Sequence, residues 1–325
     1  MESPETEKRA EVFAVVPSYN HAPFVEQCLR SIIDQTLPPK KLLVIDDGST
    51  DGSPEIIERV LAECPFDSEL IARENHGLCA TLNEAYARSD GEFFAYLGSD
   101  DVWLPDFLDE QTRLLKSRPN AVLAFSHAYV MDENDRIVDS TDRWSEFADG
   151  DLQALLLRGV VFSSPGVLYR RSALEKHRWN EDSRLEDYEM YLKLSGEGEF
   201  ARNTKILCGW RRHGVNASAN LSDMFPEMIA AQDRVASSLG IPADELERTQ
   251  SRMKFDAAAN FARHGFRREA AKLFLENLRG ASLTEIIKTA LRLALPGSLF
   301  EWNRRRRQNS AEMRFGTLAD AMKRR

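Results

Sequence analysis

Lys41-Leu42-Leu43-Val44-Ile45-Asp46-Asp47-Gly48-Ser49-Thr50-Asp51-Gly52 is the stretch that decides the fold. A short apolar run enters a pair of carboxylates and then a string of turn residues. Such a run, bounded by turn signals, reads as a strand buried on both faces, as in parallel sheets. Two other runs end in the same manner. Val12–Val16 stops at Pro17-Ser18-Tyr19-Asn20, and Phe93–Leu97 stops at Gly98-Ser99-Asp100-Asp101. Carboxylates at the C-terminal ends of parallel strands lie where open α/β sheets bind ligands. Close carboxylates repel unless a cation or donor group separates them. The pattern therefore points to a divalent metal holding a nucleotide pyrophosphate.

Working outward, helices fill the gaps between these strands. Residues 24–35 place Phe24, Cys28, Leu29, Ile32 and Ile33 on one face. Pro54 opens a helix to Ala62, with Ser53 as its expected N-cap. A strand at 69–72 and a helix at 78–89 follow. Beyond the aspartates come a helix at 105–117, strands at 121–130 and 160–169, and a helix at 186–194 whose first turn carries Glu186 and Asp187. Strict alternation of strand and helix predicts a mostly parallel sheet covered on both faces. No GxGxxG follows the first strand, which removes the main support for a Rossmann dinucleotide site. After about residue 220 only helical patterns remain, at 224–239, 243–264, 267–279 and 283–295. The expected division is a disordered segment 1–10, an α/β domain 11–220 and a helical region 221–325 ending in a basic tail.

The net charge of −9 is unevenly spread. From Ser282 onward ten Lys/Arg stand against four Asp/Glu, so this segment carries +6 and the remainder −15. An acidic body argues against a general nucleic-acid binder. Cys28, Cys64, Cys79 and Cys208 are widely spaced, which fits free thiols in a reducing compartment rather than a zinc site. There is no signal-peptide pattern and no run near the roughly 20 apolar residues that span a bilayer. The expectation is a cytoplasmic protein, peripheral at the inner face of the membrane if its tail binds lipid. That tail has Leu283, Ile286, Ile287, Ala290, Leu291, Leu293 and Ala294 on one helical face, with Phe300, Trp302 and Arg304–Arg307 after it. Two readings stay open: packing on the catalytic domain, or docking to an anionic membrane surface.

Val15-Val16-Pro17-Ser18-Tyr19-Asn20 followed by Val44-Ile45-Asp46-Asp47-Gly48-Ser49-Thr50-Asp51 resembles the family 2 glycosyltransferases. Further matching elements come in the family's order. They are Glu74-Asn75-His76-Gly77, Thr81-Leu82-Asn83, Leu97-Gly98-Ser99-Asp100-Asp101-Val102-Trp103, Leu185-Glu186-Asp187-Tyr188 and Trp210-Arg211-Arg212-His213-Gly214. The resemblance spans roughly residues 11–215 and implies the GT-A fold. It implies inverting transfer of a sugar from a nucleotide-sugar donor, read as a UDP-sugar, to a saccharide or lipid-linked saccharide.

Residue by residue, Pro17, Tyr19 and Asn20 resemble the wall beside base and ribose. Asp47 matches the family's uracil-reading aspartate, and Asp46 supports the turn. Asn75, Gly77 and Asn83 belong to the donor-binding elements. Asp100 resembles the ligand of a Mg²⁺ or Mn²⁺ that neutralises the leaving diphosphate. Where many relatives carry an aspartate this chain has Gly98, leaving Ser99 or Asp101 to substitute. Asp187 resembles the base that deprotonates the acceptor hydroxyl, with Glu186 orienting the site. His213 resembles a residue of a late loop that closes over the diphosphate, as a metal or phosphate ligand. The other histidines, His21 among them, receive no functional reading.

Each element has a plainer reading. Asp-Gly-Ser-Thr-Asp alone is a turn, and an acidic pair opening a helix complements its dipole. Two rival functions remain. A sugar nucleotidyltransferase would need a Gly-rich basic loop after the first strand, which Pro17–His21 does not supply. A catalytically silent scaffold protein is suggested only by Gly98 and the helical tail, against retained Asp47, Asp100 and Asp187.

Overall fold

A strand with neighbours on both sides needs apolar residues on both faces, and β1 (Val12–Ser18) has them. Phe13 and Val15 enter one core, while Val12, Ala14 and Val16 enter the other. The computed structural model describes residues 11–144, 149–159, 162–214 and 221–324. The expected disordered segment 1–10 and the start of the strand expected at 160–169 lie outside the described residues. α1 (Val25–Ile33) buries Val25, Cys28, Leu29 and Ile32 at helical spacing. β2 (Lys41–Asp46), α2 (Ser53–Leu61), β3 (Asp67–Ala72), α3 (Leu78–Arg88) and β4 (Phe93–Tyr96) continue the alternation. α2 begins one residue earlier than expected, with Ser53 inside the helix and Gly52 as its cap.

β3, β2, β1 and β4 lie side by side in that order, all parallel. Ser18 is in register with Asp46, and Asp46 with Ala72, so the loops after these strands open at one edge. β1 has β2 on one side and β4 on the other. The chain thus leaves in one direction and later resumes in the other, which makes this edge a topological switch point.

The second half adds β5 (Val102–Trp103), α4 (Phe107–Ser117), β6 (Ala121–Met131), β7 (Ile137–Ser140), α5 (Gln153–Leu156), β8 (Val167–Arg170), α6 (Glu186–Ser195) and β9 (Glu199–Arg211). The nine-stranded sheet runs β3-β2-β1-β4-β8-β6-β9-β5, with β7 on β6. Pairing is parallel through β4 and mixed beyond it, because β8 runs antiparallel to both β4 and β6. β9 has no counterpart among the expected elements. Its middle residues Thr204 and Lys205 are exposed, its pairing with β6 shifts register, and neither strand nor helix periodicity survives in its sequence.

The described residues from 221 onward are helical: α7 (Leu221–Ala236), α8 (Ala243–Arg263), α9 (Arg267–Glu276), α10 (Leu283–Ala294), α11 (Gly297–Phe315) and α12 (Leu318–Lys323). The last two have no counterpart among the expected helices. α7 closes the first core with Ala231 and Val235, and its Gln232 Nε2 donates to the Leu157 carbonyl at 2.8 Å. α12 returns to the sheet, where Leu318 packs with Val102, Leu104 and Met131. Ile137 N–H donates to the Gly316 carbonyl at 3.0 Å, and Leu318 N–H to that of Asp135 at 2.9 Å.

Gly48 shows how tightly the switch-point loops pack. Its φ is +84°, and a Cβ there would lie 2.9 Å from the Asn75 backbone nitrogen. Left-handed geometry and that contact together predict that Gly48→Ala costs roughly 1–3 kcal/mol of stability. Urea unfolding of the two proteins checks this; equal midpoints would refute the close approach.

Candidate active site

Three loops and one helix start meet at the C-terminal edge of the parallel strands. The loop after β2 is built by its own aspartates. Asp46, 1% exposed, accepts from Ser49 N–H at 2.8 Å and from Ser49 Oγ at 2.7 Å, which makes it a turn-builder. Asn20, in the left-handed region at φ +52°, ties the β1 loop to it: its N–H donates to Ser49 Oγ, and its Oδ1 accepts from Thr50 N–H. Pro17 is half-buried beside these turns, and Tyr19 is 50% exposed.

Asp47 is nearly buried and accepts from His76 N–H at 2.9 Å and Gly77 N–H at 2.7 Å. Arg73 also pairs with it and donates onward to Thr81 Oγ1 at 2.8 Å. Three of about four acceptor positions on this carboxylate are thereby filled. Sequence reasoning missed Arg73, although it immediately precedes the Glu74–Gly77 element. Asn75 is exposed in that loop. Asn83 is used elsewhere: its Nδ2 donates to the Trp179 carbonyl and its Oδ1 accepts from Trp179 N–H, both at 2.9 Å. It holds the chain that leads into α6.

The loop after β4 carries the second cluster. Asp100 Oδ2 lies 2.9 Å from His213 Nε2, and its Oδ1 lies 3.9 Å from His21 Nδ1. His21 Nδ1 is also 2.8 Å from Ser99 Oγ. His213 stacks on Phe24 with ring centres 5.0 Å apart and meets His21 edge-on at 5.4 Å. Ligand atoms of His21, Asp100 and His213 all fall within 4.8 Å of one another. Burial, and the neighbouring His213, hold the His21 pKa below its ordinary value despite the opposing pull of Asp100. A neutral imidazole is the form that binds a metal.

Gly98 has a structural reason. A Cβ there would sit 2.9 Å from Asp100 Oδ1 and 3.4 Å from Asp101 Oδ2, so the space of the family's extra carboxylate is taken. Asp101 turns away from the cluster, its Oδ1 accepting from Arg211 N–H at 2.7 Å, and burial followed by the Asp100 charge raises its pKa strongly. The donor set fits a divalent cation, because one carboxylate and two imidazoles bring a ligand atom each within 4.8 Å of one another. Nitrogen donors suit Mn²⁺ better than Mg²⁺. His21 is the member that sequence reading overlooked; only its place directly after Ser18-Tyr19-Asn20 signalled it.

Glu186 and Asp187 open α6, where the helix dipole favours negative charge. Asp187 Oδ1 accepts from Tyr188 N–H at 2.6 Å. Burial nevertheless pushes the Asp187 pKa up to about 6. Burial and then the Asp187 charge push that of Glu186 to about 8. Two buried carboxylates this close resist carrying two charges at once. Tyr96, the last residue of β4, interacts electrostatically with both, which sets the start of α6 beside the strand end that leads to Asp100.

Known proteins resemble this chain in sequence and in fold. The pattern described as glycosyl transferase family 2 matches residues 13–178, half of the chain. The putative glycosyltransferase EpsH of Bacillus subtilis is 31% identical over 51% of this chain and 49% of its own length. WfaP of Escherichia coli, a UDP-Glc:alpha-D-GlcNAc-diphosphoundecaprenol beta-1,3-glucosyltransferase, is 27% identical over 71% of this chain and 88% of its own. The chain spans about half the length of the first curated relatives it matches. Among solved structures, Staphylococcus aureus TarS 1–349 with UDP-GlcNAc superposes with a TM-score of 0.63 over 94% of this chain and 92% of that one, at 16% identity. The mannosyltransferase PcManGT of Pyrobaculum calidifontis, with GDP-Man and Mn²⁺, gives 0.62 over 96% and 88%, at 19% identity. The fold is GT-A, mixed α/β with a helical C-terminal region, and the chain belongs to glycosyl transferase family 2.

Proposed function

We propose that this chain is an inverting glycosyltransferase acting from a nucleotide sugar, read as a UDP-sugar, on a hydroxyl of a saccharide or lipid-linked saccharide in surface polysaccharide assembly. The observation that carries the reading is the His21–Asp100–His213 cluster sharing one sheet edge with the desolvated Glu186–Asp187 pair. The donor and acceptor that WfaP is named for, and the UDP-GlcNAc bound to TarS, support the donor and acceptor classes. The remaining acceptor position of Asp47 takes the imide N–H of uracil, beside the exposed ring of Tyr19.

Ionised Asp187 accepts the proton of the acceptor hydroxyl as its oxygen bonds to the anomeric carbon. Attack from the face opposite the nucleotide breaks the bond from that carbon to the diphosphate oxygen and inverts the configuration. Neutral Glu186 leaves Asp187 as the single charge in the pair and holds the site's shape. His21, Asp100 and His213 would hold Mn²⁺ or Mg²⁺, whose positive charge would offset that of the departing diphosphate.

Asp187→Asn should lower turnover by about 10²–10⁴-fold while nucleotide binding persists. The base must be ionised, so the wild-type rate rises with pH through about 6, where an exposed aspartate would turn near ~4. Glu186→Gln leaves that rise in place, because Glu186 is already neutral across it. Donor-hydrolysis rates against pH for the three proteins check this; a rise near 4 would exclude Asp187 as base.

Mn²⁺ titration followed by electron paramagnetic resonance, without donor, tests the metal cluster. His213→Ala and His21→Ala should each weaken binding by about tenfold or more. Thermal shifts with UDP, GDP, CDP and TDP, each with Mn²⁺ or EDTA, then test the donor. Preference for another nucleotide would redirect the donor, and no stabilisation by any would favour a silent scaffold.

A further inference from the structure

Of the eleven strongly exposed large apolar side chains among the described residues, eight lie between Leu275 and Met322. Three form a stripe on α10: Leu283 is 74% exposed, Ile287 51% and Leu291 64%. Spaced four apart, they sit one above another on a single helix face, where exposed Ala290 and Ala294 join them. At 3.6 residues per turn, Lys288 and Arg292 fall along one side of this stripe.

The helix is not loose. It packs on α8 and α9, and Leu293 joins the small core formed there by Phe225, Met253 and Phe261. Arg252 of α8 pairs with Glu285 at 2.6 Å, and Arg267 of α9 donates to the Leu293 and Leu295 carbonyls. The stripe is thus held outward by the helix's other contacts.

α11 brings the charge. Arg304, Arg305, Arg306 and Arg307 are all exposed, and Arg306 lies over the ring of the exposed Trp302, 5.6 Å from its centre. Burial, and then the nearby Arg292 and Arg307, lower the pKa of Arg263, so α8, α10 and α11 contribute guanidinium groups to one patch. Among the described residues no carboxylate lies within ion-pair distance of Lys288, Arg292 or Arg304–Arg307.

We propose that α10 and α11 form a docking surface for a bilayer whose face carries anionic phospholipid. Leu283, Ile287 and Leu291 enter the interfacial region, Trp302 lies at headgroup level, and Arg292 meets the phosphates together with those of Arg304–Arg307 that face the surface. A second copy of the chain fits this surface poorly. A twofold pairing through the stripe would bring two arginine runs together, and among the described residues the acidic body offers the scattered exposed apolar side chains Tyr19, Leu78 and Trp144 to receive it. Among the described residues no helix is long and apolar enough to cross a membrane, so the contact is with the surface. The inference stands apart from the donor and acceptor proposed above.

Flotation of the full chain with phosphatidylcholine vesicles, with and without phosphatidylglycerol, tests it. Binding should require phosphatidylglycerol and weaken with added salt. Replacing Arg304–Arg307 with Gln should reduce partitioning on the order of a hundred-fold. Leu283→Ser, Ile287→Ser and Leu291→Ser together should abolish it, with Mn²⁺ binding unchanged in both variants as evidence of folding. No flotation of the wild type, or equal flotation of all three proteins, overturns the proposal. So does a doubling of mass in light scattering that the triple serine variant removes, since a second copy would then cover the stripe.

Discussion

One buried guanidinium organises the Asp100 side of this site. Arg211, at the end of β9, is 1% exposed. Its Nε donates to the Asp100 carbonyl at 2.8 Å, and its NH1 donates to the Asp132 carbonyl at 3.0 Å and pairs with Asp135 at 2.7 Å. It also donates to Gln27 of α1 and lies over the Phe24 ring. A charge taken out of water is tolerable only with such a full set of partners. Four chain segments are thereby drawn to one point: the β4 loop, the β6–β7 turn, the start of α1 and the end of β9. His213 stands two residues beyond, so the approach of its ring to Asp100 follows from where this arginine is anchored.

The Asp47 side repeats the device with a smaller knot. Arg73 joins Asp47, Thr81 and Glu84, and Asp47 in turn collects the N–H groups of His76 and Gly77. The carboxylate is held with most of its acceptor capacity already used, which fixes the direction of what remains. At the third corner, among the described residues, no cation is among the causes that shift Glu186 and Asp187. Burial raises the pKa of both, and the Asp187 charge adds to the rise of Glu186. One edge of the sheet thus holds carboxylates of opposite character: those paired to build loops and those left desolvated.

Much of this is legible in the chain's local patterns. The runs Val12–Val16, Leu42–Ile45 and Phe93–Leu97 are apolar at every position, which a strand covered on both faces demands. Asp46-Asp47, Asp100 and Glu186-Asp187 stand out because each directly follows a strand or opens a helix. β9 escapes notice, since its pairing with β6 compensates for a polar middle that no local pattern would predict. α11, with arginines on all sides of the helix, has no apolar face to announce it. His21, Arg73 and Arg211 look like ordinary polar residues in the sequence. Their partners Ser99, Asp47 and Asp100 lie 78, 26 and 111 positions away in the chain.

By itself the sequence determined the elements whose signal is local: strands with continuous apolar runs, helices with one apolar face, and carboxylates at strand ends. These depend on neighbours within a few residues and on a fixed backbone period. Tertiary structure alone decided that β8 enters antiparallel, that Asp101 turns inward, and that His21 joins Asp100 and His213. It also decided that α10 shows an apolar stripe outward while its other face packs on α8 and α9. Those outcomes rest on burial and pairing across long stretches of chain, where the cost of an unpartnered charge or an exposed apolar face depends on what the completed fold places opposite it.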